Sequence, residues 1–154
     1  MGVTTLDDFM QQHFFAAFAC MWLAISALLS MFGGWFSLSR DFRVTSSVSG
    51  TRFRFASGSM GVGLFPATSY GGCLFLTINE VGFRLSILFV FRLLSPPLFI
   101  PWSAVASVES KRLLFLPYTV VRLHRGWPTI TFRGTAGRFI ESAFAKFSAH
   151  GQLP

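Results

Sequence analysis

From Phe14 to Leu38 the chain runs for 25 residues without a charged side chain; 20 of them are apolar and the rest are Ser or Gly. As one helix at about 1.5 Å per residue the stretch is roughly 37 Å long, enough to cross a hydrocarbon core of about 30 Å with some tilt. Competing readings fit less well. A surface-lying helix needs a charged face, which is missing. A buried helix that is apolar all round needs more protein around it than the 116 residues that follow in a chain of 154. A cleaved signal peptide needs a basic start, whereas the segment before Phe14 carries Asp7 and Asp8 and neither Lys nor Arg. The spacing therefore predicts a transmembrane helix over 14–38, with Trp35 and Phe36 at its interfacial end and Arg40 and Arg43 just beyond.

Charge orients this helix. All thirteen Lys and Arg follow it, against four acids there (Asp41, Glu80, Glu109, Glu141), while the segment 1–13 holds two acids and no base. Basic residues beside a helix end favour the cytoplasmic side, so the N-terminus is expected outside and the remainder inside. Ala16, Cys20 and Ala24 recur at every fourth position, a spacing by which two helices approach closely. It arises commonly by chance in Ala-rich helices, which leaves a homo-oligomer as a secondary expectation. Cys20 and Cys73 lack metal-ligand spacing and are too few for a disulfide framework.

Beyond a basic juxtamembrane linker over 39–50, the pattern turns to alternation. Arg52 to Phe55, Leu74 to Asn79 and Phe83 to Arg92 read as strands, and Asn79-Glu80-Val81-Gly82 makes a hairpin turn between the last two. Leu98 to Ile100, Val105 to Val108, Tyr118 to His124 and Thr129 to Phe132 supply more, with Arg125-Gly126-Trp127-Pro128 as a turn. Leu85 to Ile100 is apolar enough to invite a second membrane test. Arg92 lies inside it and Pro96-Pro97 would break a helix, so a second span is rejected. After Gly134, the residues Ile140, Ala143, Phe144 and Phe147 form one apolar stripe of an amphipathic helix over about 135–149, assigned to core packing, and Gly151 ends it.

The expected fold is thus mainly β, with one N-terminal transmembrane helix. Strands followed by one C-terminal amphipathic helix, over 51–150, resemble the pleckstrin-homology superfold, and the bacterial PH-like and GRAM-like domains in particular. The resemblance is carried by Leu74-Phe75-Leu76-Thr77-Ile78-Asn79-Glu80-Val81-Gly82-Phe83-Arg84-Leu85 and by Leu98-Phe99-Ile100-Pro101-Trp102-Ser103-Ala104-Val105-Ala106-Ser107-Val108-Glu109. It implies a seven-stranded, partly open barrel capped by the helix, a binding role toward lipids, peptides or proteins, and a place at the bacterial inner membrane. The stretch Ser57 to Gly72 has no basic residue, unlike the first loop of the phosphoinositide-binding members.

No constellation of titratable side chains suggests catalysis. His13, His124 and His150 are far apart in sequence, and Asp7-Asp8 is the one adjacent acidic pair. Gly61-Val62-Gly63-Leu64-Phe65-Pro66 has Pro where a dinucleotide loop needs its third Gly, so nucleotide binding fails as well. No cofactor, no metal and no enzyme activity is expected, and no nucleic-acid motif is present. Two surfaces remain as candidates. Arg40, Arg43, Arg52, Arg54, Lys111 and Arg112 would meet anionic lipid at a membrane surface. Met60, Leu64, Phe65 and Tyr70, in a stretch with five glycines, would grip a partner or dip into the bilayer; burial over one end of the barrel is the preferred reading. The functional expectation is a single-pass membrane protein displaying a cytoplasmic binding or scaffold module for lipid headgroups or an integral membrane protein. The alternative is a small structural subunit of a membrane complex, with no ligand of its own.

Overall fold

The computed structural model describes residues 4–32, 34–61, 68–92, 95–124 and 126–151. Its first helix, α1 (Thr4–Phe32), is a 29-residue run free of Gly and Pro. The window Gln11–Leu28 is long and apolar enough to cross a membrane, and 6% of it is buried by the rest of the protein. Phe14, Phe15, Phe18, Met21 and Leu28 all stand exposed along it.

The helix does not continue to Leu38. Gly34 takes a left-handed conformation (φ 75°, ψ 5°) that a side chain would oppose, and the chain restarts as α2 (Trp35–Phe42). Trp35 and Leu38 are fully buried in the domain core, and the Trp35 indole donates to the Pro96 carbonyl at 2.8 Å. The expected span over 14–38 is therefore corrected at its end, because Trp35 and Leu38 are enclosed in the domain core more completely than a bilayer interface would enclose them, while Phe36 stays exposed. Part of the expected linker over 39–50 is likewise folded. Phe42 packs edge-on against Trp127 at 4.7 Å, Arg43 bridges Leu98, and the Val44 amide donates to the Pro97 carbonyl.

Seven strands follow: β1 (Thr51–Gly61), β2 (Thr68–Ile78), β3 (Gly82–Ile87), β4 (Leu98–Pro101), β5 (Val105–Leu113), β6 (Leu116–Leu123) and β7 (Thr129–Arg133). They form one curled antiparallel sheet, a half-barrel ordered β4-β3-β2-β1-β7-β6-β5. The Asn79 side chain accepts from the amides of Val81 and Gly82 and so fixes the β2–β3 turn. β3 stops at Ile87, short of the expected run, and Phe89–Phe91 form a 3-10 turn with Phe89 exposed.

Ser57 to Gly72 is another difference. Rather than one long loop, its two ends are strand, and residues 62–67 lie outside the described set. Gly58 is there for closeness rather than flexibility: a Cβ would meet the Thr131 carbonyl oxygen at 2.6 Å, where β1 pairs with β7. The sheet wraps a core centred on Phe83, Trp102 and Phe132, with rings 5.4 and 6.1 Å apart. The last helix, α3 (Thr135–His150), buries Ala136, Gly137 and Ile140 against it and lays Phe144 against Trp102; Phe147, expected in that stripe, remains 39% exposed.

Trp102 also donates its indole N–H to the Asn79 carbonyl, tying the core to the hairpin turn. In urea denaturation of the full chain in neutral maltoside micelles, Trp102→Ala should lower the unfolding free energy by about 3–5 kcal/mol. Phe115→Ala, at a ring that is 93% exposed, should change it by no more than about 0.5 kcal/mol. Equal losses would contradict the placement of the core.

Candidate functional site

The basic residues named from sequence fall into separate groups. Arg40 sits on α2 with its guanidinium 5.1 Å from the Phe36 ring, and Arg43 directly follows that helix. Arg52 and Arg54 lie on β1, and Lys111 and Arg112 near the end of β5. Lys111 is bound to Glu109 at 3.2 Å, and Glu109 also holds Arg122 at 3.0 Å. Such exposed pairs add little to stability, but they take Lys111 and Arg122 out of the free cations.

Strand register creates a stronger grouping. Arg52 pairs with Thr77, and Thr77 with Arg84, so the two arginines share a row on the outward face of the sheet. Arg84 is half-buried, and its Nε is enclosed without a hydrogen-bond partner. Burial, then the positive charges of Arg92 and Arg52, hold its guanidinium below the ordinary arginine range. Two cations beside a third whose Nε is unsatisfied make a surface that a phosphate or carboxylate would relieve, by supplying both the missing acceptor and the missing charge. Arg84 and Arg92 were not among the residues singled out from sequence. The signal for Arg84 was present, since the Asn79–Gly82 turn sets it opposite Thr77.

The apolar set divides. Met60 and Tyr70 are core side chains and present nothing to a partner; Leu64 and Phe65 lie outside the described residues. Tyr70 packs edge-on against Trp35 at 6.0 Å. It also lines a mainly apolar cavity of about 160 Å³, in which Ser26 of α1 meets Cys73, Ile87 and Phe91 of the sheet end. There the Cys73 thiol donates to the Gly71 carbonyl at 3.3 Å, and the Phe91 ring stands 6.0 Å from that of Trp22. Sequence reasoning also missed the β5–β6 hairpin, whose tip Leu114-Phe115-Leu116 is 83, 93 and 67% exposed. Its turn lacks Gly and Asn, and Leu114 itself takes the positive φ, 55°.

Among the described residues, no three His, Cys, Asp or Glu side chains gather as metal ligands. No protein-family model and no curated protein matches the chain.

Burial pushes the Tyr70 hydroxyl up from 10.0 to about 12. The neutral phenol is the form the fold holds, so its contribution is intact below about pH 10 and is lost as pH rises from there toward 12. Tyrosinate absorbance of the folded chain should show one of its two tyrosines ionising near 12, with stability falling over that interval. Absence of any tyrosine ionising near 12 in the folded state would contradict the burial of Tyr70.

Proposed function

We propose that the protein is a single-pass membrane protein whose sheet domain is a PH-like binding module on the cytoplasmic face of the inner membrane, taking anionic lipid headgroups. The observation that carries this reading is the enclosed, unpartnered Nε of Arg84 beside Arg52 and Arg92. Among the described residues none of these three arginines is in an ion pair, and a fold gains nothing from two further cations beside a buried cationic donor, so the arrangement favours an anionic ligand. α1 supports the membrane anchor by its length and its lipid-compatible surface, and the surplus of basic residues after it supports the orientation. The strand order and the single closing helix support the PH-like assignment.

The role is one of attachment and recognition. Each basic side chain that reaches an anionic surface contributes about 1 kcal/mol, and the effect weakens as salt screens it. The full chain in neutral maltoside micelles should bind dihexanoyl phosphatidylglycerol saturably and salt-sensitively, and dihexanoyl phosphatidylcholine far more weakly. Replacing Arg52 and Arg84 together by Gln should weaken the phosphatidylglycerol binding roughly thirtyfold with an unchanged circular dichroism spectrum. Equal affinity for the two lipids, or an unaffected double variant, would refute the headgroup role and favour a purely structural subunit. A reporter fused at the C-terminus should behave as cytoplasmic; an external signal would reverse the orientation.

A further inference from the structure

β1 is paired on both sides for only part of its length. It runs beside β2 from Thr51 to Met60, but meets β7 only from Gly58 to Gly61. From Thr51 to Ser57 its second edge therefore carries no strand; Phe53 packs against Phe139 of α3 and Ala56 is buried, while Thr51, Arg52, Arg54 and Phe55 stand exposed. The cause is local. The register slips by one residue between Phe53 and Ala56, and Phe55 takes a left-handed φ of 59°, a bulge that bends the strand away from β7.

The gap is a groove of about 430 Å³, a volume that admits side chains rather than a lone ion or water. Arg54 and Phe55 line one wall; Leu116, Pro117, Arg133 and Thr135 line the other. Phe55 and Leu116 are 63 and 67% exposed. No acidic side chain lines it, and among the described residues neither Arg54 nor Arg133 is in an ion pair. At its floor α3 begins, with no side chain capping its first amides. Among the described residues, both non-glycine positions of positive φ, Phe55 and Leu114, fall at this groove or at the hairpin tip beside it.

We infer that the groove binds an extended segment of an acidic partner polypeptide, which adds a strand to the free edge of β1. An unpaired edge asks for backbone donors and acceptors at strand spacing, which another strand supplies and a lipid headgroup does not. The flanking charge selects which strand. Arg54 and Arg133 repel a second copy of the same edge and attract Glu or Asp, while Phe55 and Leu116 receive the apolar side chains that alternate with them. The first turn of α3 adds donors for one carboxylate. This site is separate from the Arg84 surface, and the inference does not depend on the headgroup reading.

The test uses the full chain in neutral maltoside micelles and three synthetic octapeptides. One alternates Glu with Val, one alternates Lys with Val, and one is the Glu peptide with alternate backbone nitrogens methylated so that it cannot pair. The Glu peptide should bind saturably by fluorescence anisotropy, and it should slow hydrogen exchange at the amides of residues 51–57. Arg54→Glu and Arg133→Glu, both at exposed positions and checked by circular dichroism, should each weaken it about tenfold. The Lys peptide and the methylated peptide should bind far more weakly. Equal binding of the methylated peptide would reduce the site to ionic adhesion and overturn strand addition. Absence of binding by the Glu peptide would overturn it too, as would peptide-free dimerisation that protects residues 51–57, because the occupant would then be a second copy.

Discussion

One buried indole decides how the apolar part of this chain is divided. Trp35 is fully enclosed, donates to the Pro96 carbonyl and packs against Tyr70, and Leu38 is buried one turn later. Burial of side chains of this size contributes on the order of 2–3 kcal/mol each, enough to outweigh the continuation of a helix through Gly34. The run that reads as one membrane helix thus becomes two elements, an apolar helix that stands clear of the sheet over most of its length and a short one that belongs to the core. Residues from Trp35 through Val44 are then held against β4 and the segment before it rather than forming a free linker.

Much of the sheet was legible because its information is local. Alternation placed β6 and β7 within two residues and the facing ends of β2 and β3 at their hairpin, where Asn79-Glu80-Val81-Gly82 announced the turn that its side-chain hydrogen bonds make; the start of β2 and the end of β3 were each misplaced. The helix over about 135–149 was legible from the spacing of Ile140, Ala143 and Phe144. What could not be read depends on contacts between distant segments. Gly58 reads as loop because the Thr131 carbonyl that requires it lies far along the chain, on β7. The enclosure of Trp35 depends on Pro96, and the β5–β6 tip lacks turn residues because Leu114 takes the strained conformation itself.

The candidate site followed the same division. Composition pointed to basic residues, and Arg52 belonged to the group that the register assembles. Its partner Arg92 lies inside the apolar stretch Leu85 to Ile100, and Arg84 stands just before it on a strand whose alternation points to a core rather than to a cationic cluster. Met60 and Tyr70, conspicuous among glycines, turned out to be core, which is the ordinary fate of large apolar side chains beside a sheet. Charge and strain are instead concentrated on the outward row around Arg84 and at the half-open edge of β1, two places where the sheet leaves polar groups without partners.

The division of the apolar run at Gly34 can be measured as a depth profile. Nitroxide labels at Phe18, Met21, Ile25 and Leu28, in a full chain with Cys20 and Cys73 replaced by Ala and reconstituted in phosphatidylglycerol nanodiscs, would report collision with oxygen against collision with a polar relaxer. A span over Gln11–Leu28 predicts the deepest signal at Phe18 and Met21 and a decline toward Leu28. A signal that peaks between Ile25 and Leu28, as an unbroken helix over 14–38 centred on Ser26 requires, or aqueous values at all four positions, would contradict it.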